Sequence, residues 1–270
     1  MYLQQNPVEG IRMMIKENLK ISANKPLYGI CWNHWRTYEN RIAIRYASEA
    51  MIYGPMPEKT FYYSLARRSG IANANKFTAA MNKLDQSDTF CRDSLFNIGF
   101  CWGGYWLGKK GLSLYGRYSR DNLLRAIDYF SEVKADLNSS VSKTRDSIAL
   151  KDLHFLENRI NCTILHLKAF AVMKEINPLF DGNPDPVLSE NEREKIRKTC
   201  TEALSLEKQY IDTHAQLVPD RGSEGTLVSY INGPYKCLKN IMSNYGKAEI
   251  NNQNRDKPFD APPEPGRPNM

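Results

Sequence analysis

Apolar residues recur along most of this chain at helical spacing. Val8, Ile11, Met14, Ile15 and Leu19 mark one face of a first helix. Asn6, Pro7 and Glu9 supply its cap, its first turn and the reaching-back carboxylate. This helix must end before Pro26, because the residue preceding a proline is pushed out of the helical region. A short apolar run over 27–32 then reads as a buried strand. Helical spacing returns at about 39–52 through Ile42, Ala43, Ala47, Ala50 and Met51. The chain therefore opens as helix, strand, helix.

Beyond Pro55 and Pro57 the strand signal disappears. A helix over about 57–68 closes at Gly70, placed for a left-handed cap. Phe77, Met81, Leu84, Cys91, Leu95 and Ile98 line a helix of about 73–98, and Ser119 caps another carrying Leu123, Leu124, Ile127, Phe130 and Val133. The stretch 142–176 is apolar on more than one side, which predicts a central place in a bundle. Ser189 and Glu192 form a capping box for a helix running to about 217. A last helix over 224–246 is interrupted at Gly233-Pro234. The expected fold is mainly α: an α-helical bundle over 71–250, preceded by a helix-strand-helix unit over 1–70 and followed by a proline-rich tail over 251–270. A single strand leaves its backbone groups unsatisfied, so the unit at 1–70 requires a sheet supplied from elsewhere. Helices flanking one buried strand are what an alternating β/α fold provides at its end.

Composition narrows the classes. At 270 residues, with 41% hydrophobic and 25% charged residues, the chain can bury a core in one or two domains. No apolar run reaches the roughly 18 residues of a membrane helix, so no membrane partner is expected. The opening MYLQQNPVEG has no basic segment followed by an apolar one, so no signal peptide is expected and the compartment stays open. Net charge is +7 and concentrated at the front, where residues 1–70 hold ten Lys/Arg against five Asp/Glu. Basic residues alternate with acidic ones along the helices rather than clustering, which argues against a nucleic-acid partner.

The densest chemistry sits in LYGICWNHWRTYENR, residues 27–41. An apolar run ends in Trp32, Asn33, His34, Trp35, Arg36, Thr37, Tyr38 and Glu39, a polar and aromatic tip on a short strand. The plain alternative makes Trp32 and Trp35 core aromatics, His34 a satisfied partner and Arg36–Glu39 a surface pair. Other candidates are weaker. Asp181, Asn183, Asp185, Ser189 and Glu192 fall at calcium-loop positions, but Pro186 stands where the loop needs glycine. The six cysteines show no CxxC pair or zinc spacing and read as buried thiols. The loop 101–118 is rich in glycine and aromatics and suits either a sugar rim or packing. It has neither a GxGxxG nor a P-loop spacing, and no cofactor is expected. His154 and His166 read as ordinary helix residues, His214 has no evident partner, and Asp220, Arg221 and Glu224 read as a structural link before the last helix.

Four segments, NPVEGIRMMIKE, LYGICWNHWRT, RYASEAMIYGP and KTFYYSLARRSGI, resemble in order the end of a (β/α)8-barrel glycoside hydrolase that carries a helical C-terminal domain, hexosaminidase-like or α-glucuronidase-like. PDRGSEGTLVSYINGP, 219–234, is similar to a stretch near the end of such bundles. The resemblance implies that the strand at 27–32 is the last of the barrel, and substrate contacts gather at the C-terminal ends of barrel strands. It implies a carbohydrate ligand stacked on Trp32 or Trp35 and bonded by His34, Arg36 and Glu39, with the remainder of the barrel as partner. It also exposes a departure. A glycosidase needs two carboxylates about 5–9 Å apart, and only Glu39 lies at the tip, so catalytic residues are not identified and the chain is not expected to cleave alone. The competing reading is a non-enzymatic α-helical protein-interaction module.

Overall fold

The computed structural model describes residues 8–22, 37–93, 119–180, 186–218 and 224–246. Every regular element among them is helical. In chain order these are α1 (Val8–Ser22), α2 (Thr37–Tyr53), α3 (Glu58–Arg68), α4 (Ala74–Asp93), α5 (Arg120–Val141), α6 (Ser147–Met173), a 3-10 turn at Asn177–Leu179, α7 (Glu190–Ala215), α8 (Glu224–Tyr230), a π-helical segment at Ile231–Tyr235, and α9 (Lys236–Tyr245). The expected strand at 27–32, the loop 101–118 and the tail 251–270 lie outside the described residues.

The helices gather into two compact units, and the chain passes from one to the other within α5 and within α6. The first unit holds α1–α4 with Ser131–Val141 of α5 and Ser147–Ile160 of α6. Helix α1 packs on α2 and α3 on α4. Ile11 and Ile15 are buried on α1, and Ala43, Tyr46, Ala47 and Ala50 on α2. Tyr46 and Phe61 meet edge to face at 5.0 Å, and the Tyr46 hydroxyl donates to the Met56 carbonyl at 2.7 Å. Burial, reinforced by the Glu58 carboxylate, pushes the Tyr46 phenol up to about 12, so it stays a neutral donor.

The turn after α3 needs Gly70. It sits at φ +71°, the left-handed region, and the Ile71 N–H donates to the Ala66 carbonyl at 2.9 Å to close the helix. Asn73, also left-handed at φ 54°, follows. Its amide donates to Ser139 Oγ at 2.7 Å, and the Ala72 N–H donates to buried Thr144 Oγ1 at 2.9 Å. Ser140 at the end of α5, whose hydroxyl donates to the Asn73 carbonyl at 3.3 Å, and Thr144 just beyond it thus satisfy the backbone of this turn, which sequence patterns cannot show. The expected single helical stretch 142–176 begins later than its apolar pattern suggested, because Ser142–Asp146 form a break before α6.

The second unit packs α7 against α8, the π segment and α9. Its core joins Met173, Ile176, Phe180, Leu188, Ile196, Cys200, Ala203, Cys237, Leu238 and Ile241. The capping box at Ser189 forms as read: the Glu192 N–H donates to Ser189 Oγ and the Ser189 N–H to the Glu192 carboxylate. The Ser189 hydroxyl, donating to the Glu192 carboxylate at 2.7 Å, and the Ser189 N–H together hold that carboxyl below its ordinary value. Two arginines of α7 close the far end of α9, Arg193 donating to the Tyr245 carbonyl at 3.3 Å and Arg197 to that of Gly246. The π segment answers the expected interruption. Pro234 offers no N–H and its ring would strike the carbonyl of Tyr230 in an α-helix. The chain widens instead, and the Lys236 N–H reaches back to the Ile231 carbonyl.

Candidate functional site

Trp32, His34, Trp35 and Arg36 lie outside the described residues. Glu39 falls in the first turn of α2, which starts at Thr37. Asn40 is buried, and Arg41 Nη1 donates to Asp152 Oδ1 of α6 at 2.6 Å. The Arg41 guanidinium stands 5.7 Å from the Phe155 ring centroid and that of Arg159 5.8 Å from it. Arg159 and Phe155 are buried, whereas Arg41 and Asp152 are half-buried.

A second polar cluster lies inside the unit built on α7. His166 of α6 and Glu207 of α7 join through Nδ1 and Oε1 at 2.9 Å, with side chains 4% and 2% exposed. Four rings enclose the imidazole and its neighbours. Phe170 meets His166 edge to face at 4.7 Å, Tyr230 at 5.7 Å, and Tyr210 lies 4.0 Å from Tyr230. His214 stacks parallel on Tyr210 at 5.6 Å. Tyr230 is the last residue of α8 before the π segment. The second Glu207 oxygen, Oε2, is buried with no hydrogen-bond partner among the described residues. The pair fastens α6 to α7 in low-dielectric surroundings.

Reading His166 as an ordinary helix residue missed this pair, as did leaving His214 without a partner. The signal was present on α7, where Ile196, Cys200, Ala203, Glu207, Tyr210 and His214 continue one buried stripe at helical spacing. A carboxylate and an imidazole on an otherwise apolar stripe mark a buried polar contact. His154 is different: it is exposed and pairs with Glu157, at 3.2 Å on the same helix.

The remaining candidates sort simply. Asp181, Asn183 and Asp185 lie outside the described residues, and Glu192 is engaged by the cap on Ser189. Among the described residues no group of three or more His, Cys, Asp or Glu could hold a metal ion. Cys162, Cys200 and Cys237 are buried thiols outside any disulfide, and burial pushes the Cys200 thiol up to about 12 and that of Cys237 further. Such thiols are inert as nucleophiles. Asp220 and Arg221 lie outside the described residues, and Glu224 opens α8. No helix among the described residues is long and apolar enough to cross a membrane. No family model, curated protein or solved structure matches the chain.

Proposed function

We propose that this chain is the C-terminal part of a carbohydrate-active glycoside hydrolase, contributing the sugar-contacting residues of the last barrel strand and a helical accessory region, and not catalytic alone. The observation that carries the reading is the order at the front of the molecule. Helices α1 and α2 pack side by side, and the residues joining them, 23–36, hold the apolar run Leu27–Trp32 followed directly by Asn33–Arg36. Helices that flank a strand in a β/α unit pack in this way. A polar aromatic run that ends where a helix begins has ring faces for a sugar and, in the free N–H groups of the first turn, donors for its oxygens. Trp32, His34, Trp35, Arg36 and Glu39 are the proposed contacts.

The reading also accounts for exposed apolar side chains. Met13, Met14 and Leu19 of α1 and Met51, Ile52 and Tyr53 at the end of α2 are 40–78% exposed. A barrel sheet is one cover for them. A protein partner is another, and this is the observation that favours the second reading, a non-enzymatic helical interaction module.

Saturation-transfer NMR on the chain with N-acetylglucosamine and with glucuronate separates the two. The hydrolase reading predicts transfer to ring protons of at least one sugar, lost in Trp35→Ala, together with no turnover of aryl glycosides. Transfer to neither sugar removes it in favour of the module.

A further inference from the structure

Helix α2 ends in Met51, Ile52 and Tyr53, which are 45%, 73% and 78% exposed. Successive helical residues point about 100° apart, so the three side chains surround the helix end instead of lining one stripe. A single groove in a partner does not cover all three, whereas a soft medium closes around them. The chain then turns sharply. Gly54 is left-handed at φ +85° with open space where a Cβ would stand. Pro55 and Pro57 stiffen the turn, and the Tyr46 hydroxyl holds the Met56 carbonyl at 2.7 Å. A rigid turn thus holds the apolar tip out.

Charge around the tip is one-sided. Residues 40–70 hold five Lys/Arg against two Asp/Glu. Both carboxylates are engaged, Glu49 by Arg45 and Arg68, and Glu58 by Arg12. Lys59 and Arg67 of α3 are exposed and have no such partner among the described residues. With Tyr63, itself 46% exposed, they recur every four residues and share one face of α3. Lys59 follows the turn directly, and Arg67 adjoins Arg68, which reaches back to Glu49 one turn before Tyr53.

We propose that the end of α2 and the exposed face of α3 form a docking site for an anionic lipid surface. Met51, Ile52 and Tyr53 enter the headgroup layer, Tyr53 keeping its hydroxyl at the wet level, while Lys59 and Arg67 meet the lipid anions. The protein rests on the bilayer and does not cross it. The lack of an apolar helix long enough to span, which set the expectation of no membrane partner, has no bearing on such contact. This docking is independent of sugar binding and is read with vesicles, not free sugars.

The test is co-sedimentation of the whole chain with phosphatidylcholine vesicles, with and without phosphatidylserine, at low and high salt. Wild type should bind the phosphatidylserine vesicles and leave them at high salt, where the charge attraction is screened. Ile52→Ser with Tyr53→Ser, and separately Lys59→Ser with Arg67→Ser, should each weaken binding about tenfold or more. Their melting temperatures should match wild type, because the side chains are exposed. Should one double variant fail to fold, the other carries the comparison. Wild type that ignores phosphatidylserine vesicles, or wild-type binding by either folded variant, overturns the inference. A wild-type dimer that Ile52→Ser with Tyr53→Ser dissolves gives the tip to a second copy and also overturns it. So does retention on immobilised poly-glutamate, lost in both variants and without vesicle binding, which gives the tip to an acidic protein.

Discussion

His166 and Glu207 each give up hydration to sit in a ring-lined interior, and each is offset by the other. Removing one partner leaves a buried polar group uncompensated, which costs about 1–3 kcal/mol. His166→Ala should therefore lower the urea-unfolding free energy by about that amount, whereas His166→Leu with Glu207→Leu should be far milder, since a well-filled apolar pair needs no compensation. A single substitution costing less than the double would contradict the account. At the surface the balance differs. Burial raises the Glu49 carboxyl, but hydrogen bonds from Arg68 and Arg45 outweigh it and hold the group below its ordinary value of 4.5. A carboxyl depressed by folding stabilises the fold above its unfolded value and loses that contribution as pH falls through the folded one. The stability difference between wild type and Glu49→Gln, measured by denaturant titration, should thus be present at pH 7 and shrink below pH 4.5. A difference that grows on acidification would contradict the assignment.

At the scale of elements, helix ends show what local sequence controls. Ser189 and Glu192 could be read as a cap because both partners lie within one turn of each other. Gly70 could be read for the same reason, since a single backbone conformation explains it. The break at Gly233-Pro234 was legible as an interruption, but its form was not. Whether a proline bends a helix or opens it into a π turn depends on what packs there, and here Gly233 and Pro234 are buried beside α7. His166–Glu207 was illegible as a pair because its members lie 41 positions apart on different helices. Only the stripe on α7 hinted at it. Gly246 belongs to the same class. A Cβ there would stand 2.6 Å from the Met242 carbonyl oxygen and 2.9 Å from Arg197 Cγ, where Arg197 closes α9. Gly246→Ala should cost about 1–3 kcal/mol through this crowding. A thermal melt unchanged from wild type would show that the α9 end is not held as described.

For the whole molecule, the mainly helical character was legible from periodicity alone, because amphipathic stripes recur in nearly every segment. How the helices divide was not. The expected boundary at 70/71 falls between α3 and α4, which pack on each other within one unit, and α5 and α6 each contribute to both units. Such sharing follows from which buried faces meet, a property no single segment carries. The candidate sugar site was legible only as composition in residues 32–39. The central claim is that this run serves a ligand rather than a core. It is tested most directly by measuring melting temperature and sugar affinity together for Trp35→Ala in the whole chain. A stacking ring in a binding site should cost about 1–3 kcal/mol of binding, leaving the melting temperature within a few degrees of wild type. A core tryptophan should instead cost about 3–5 kcal/mol of folding stability, and a large fall in melting temperature with unchanged sugar affinity in the folded protein would contradict the claim.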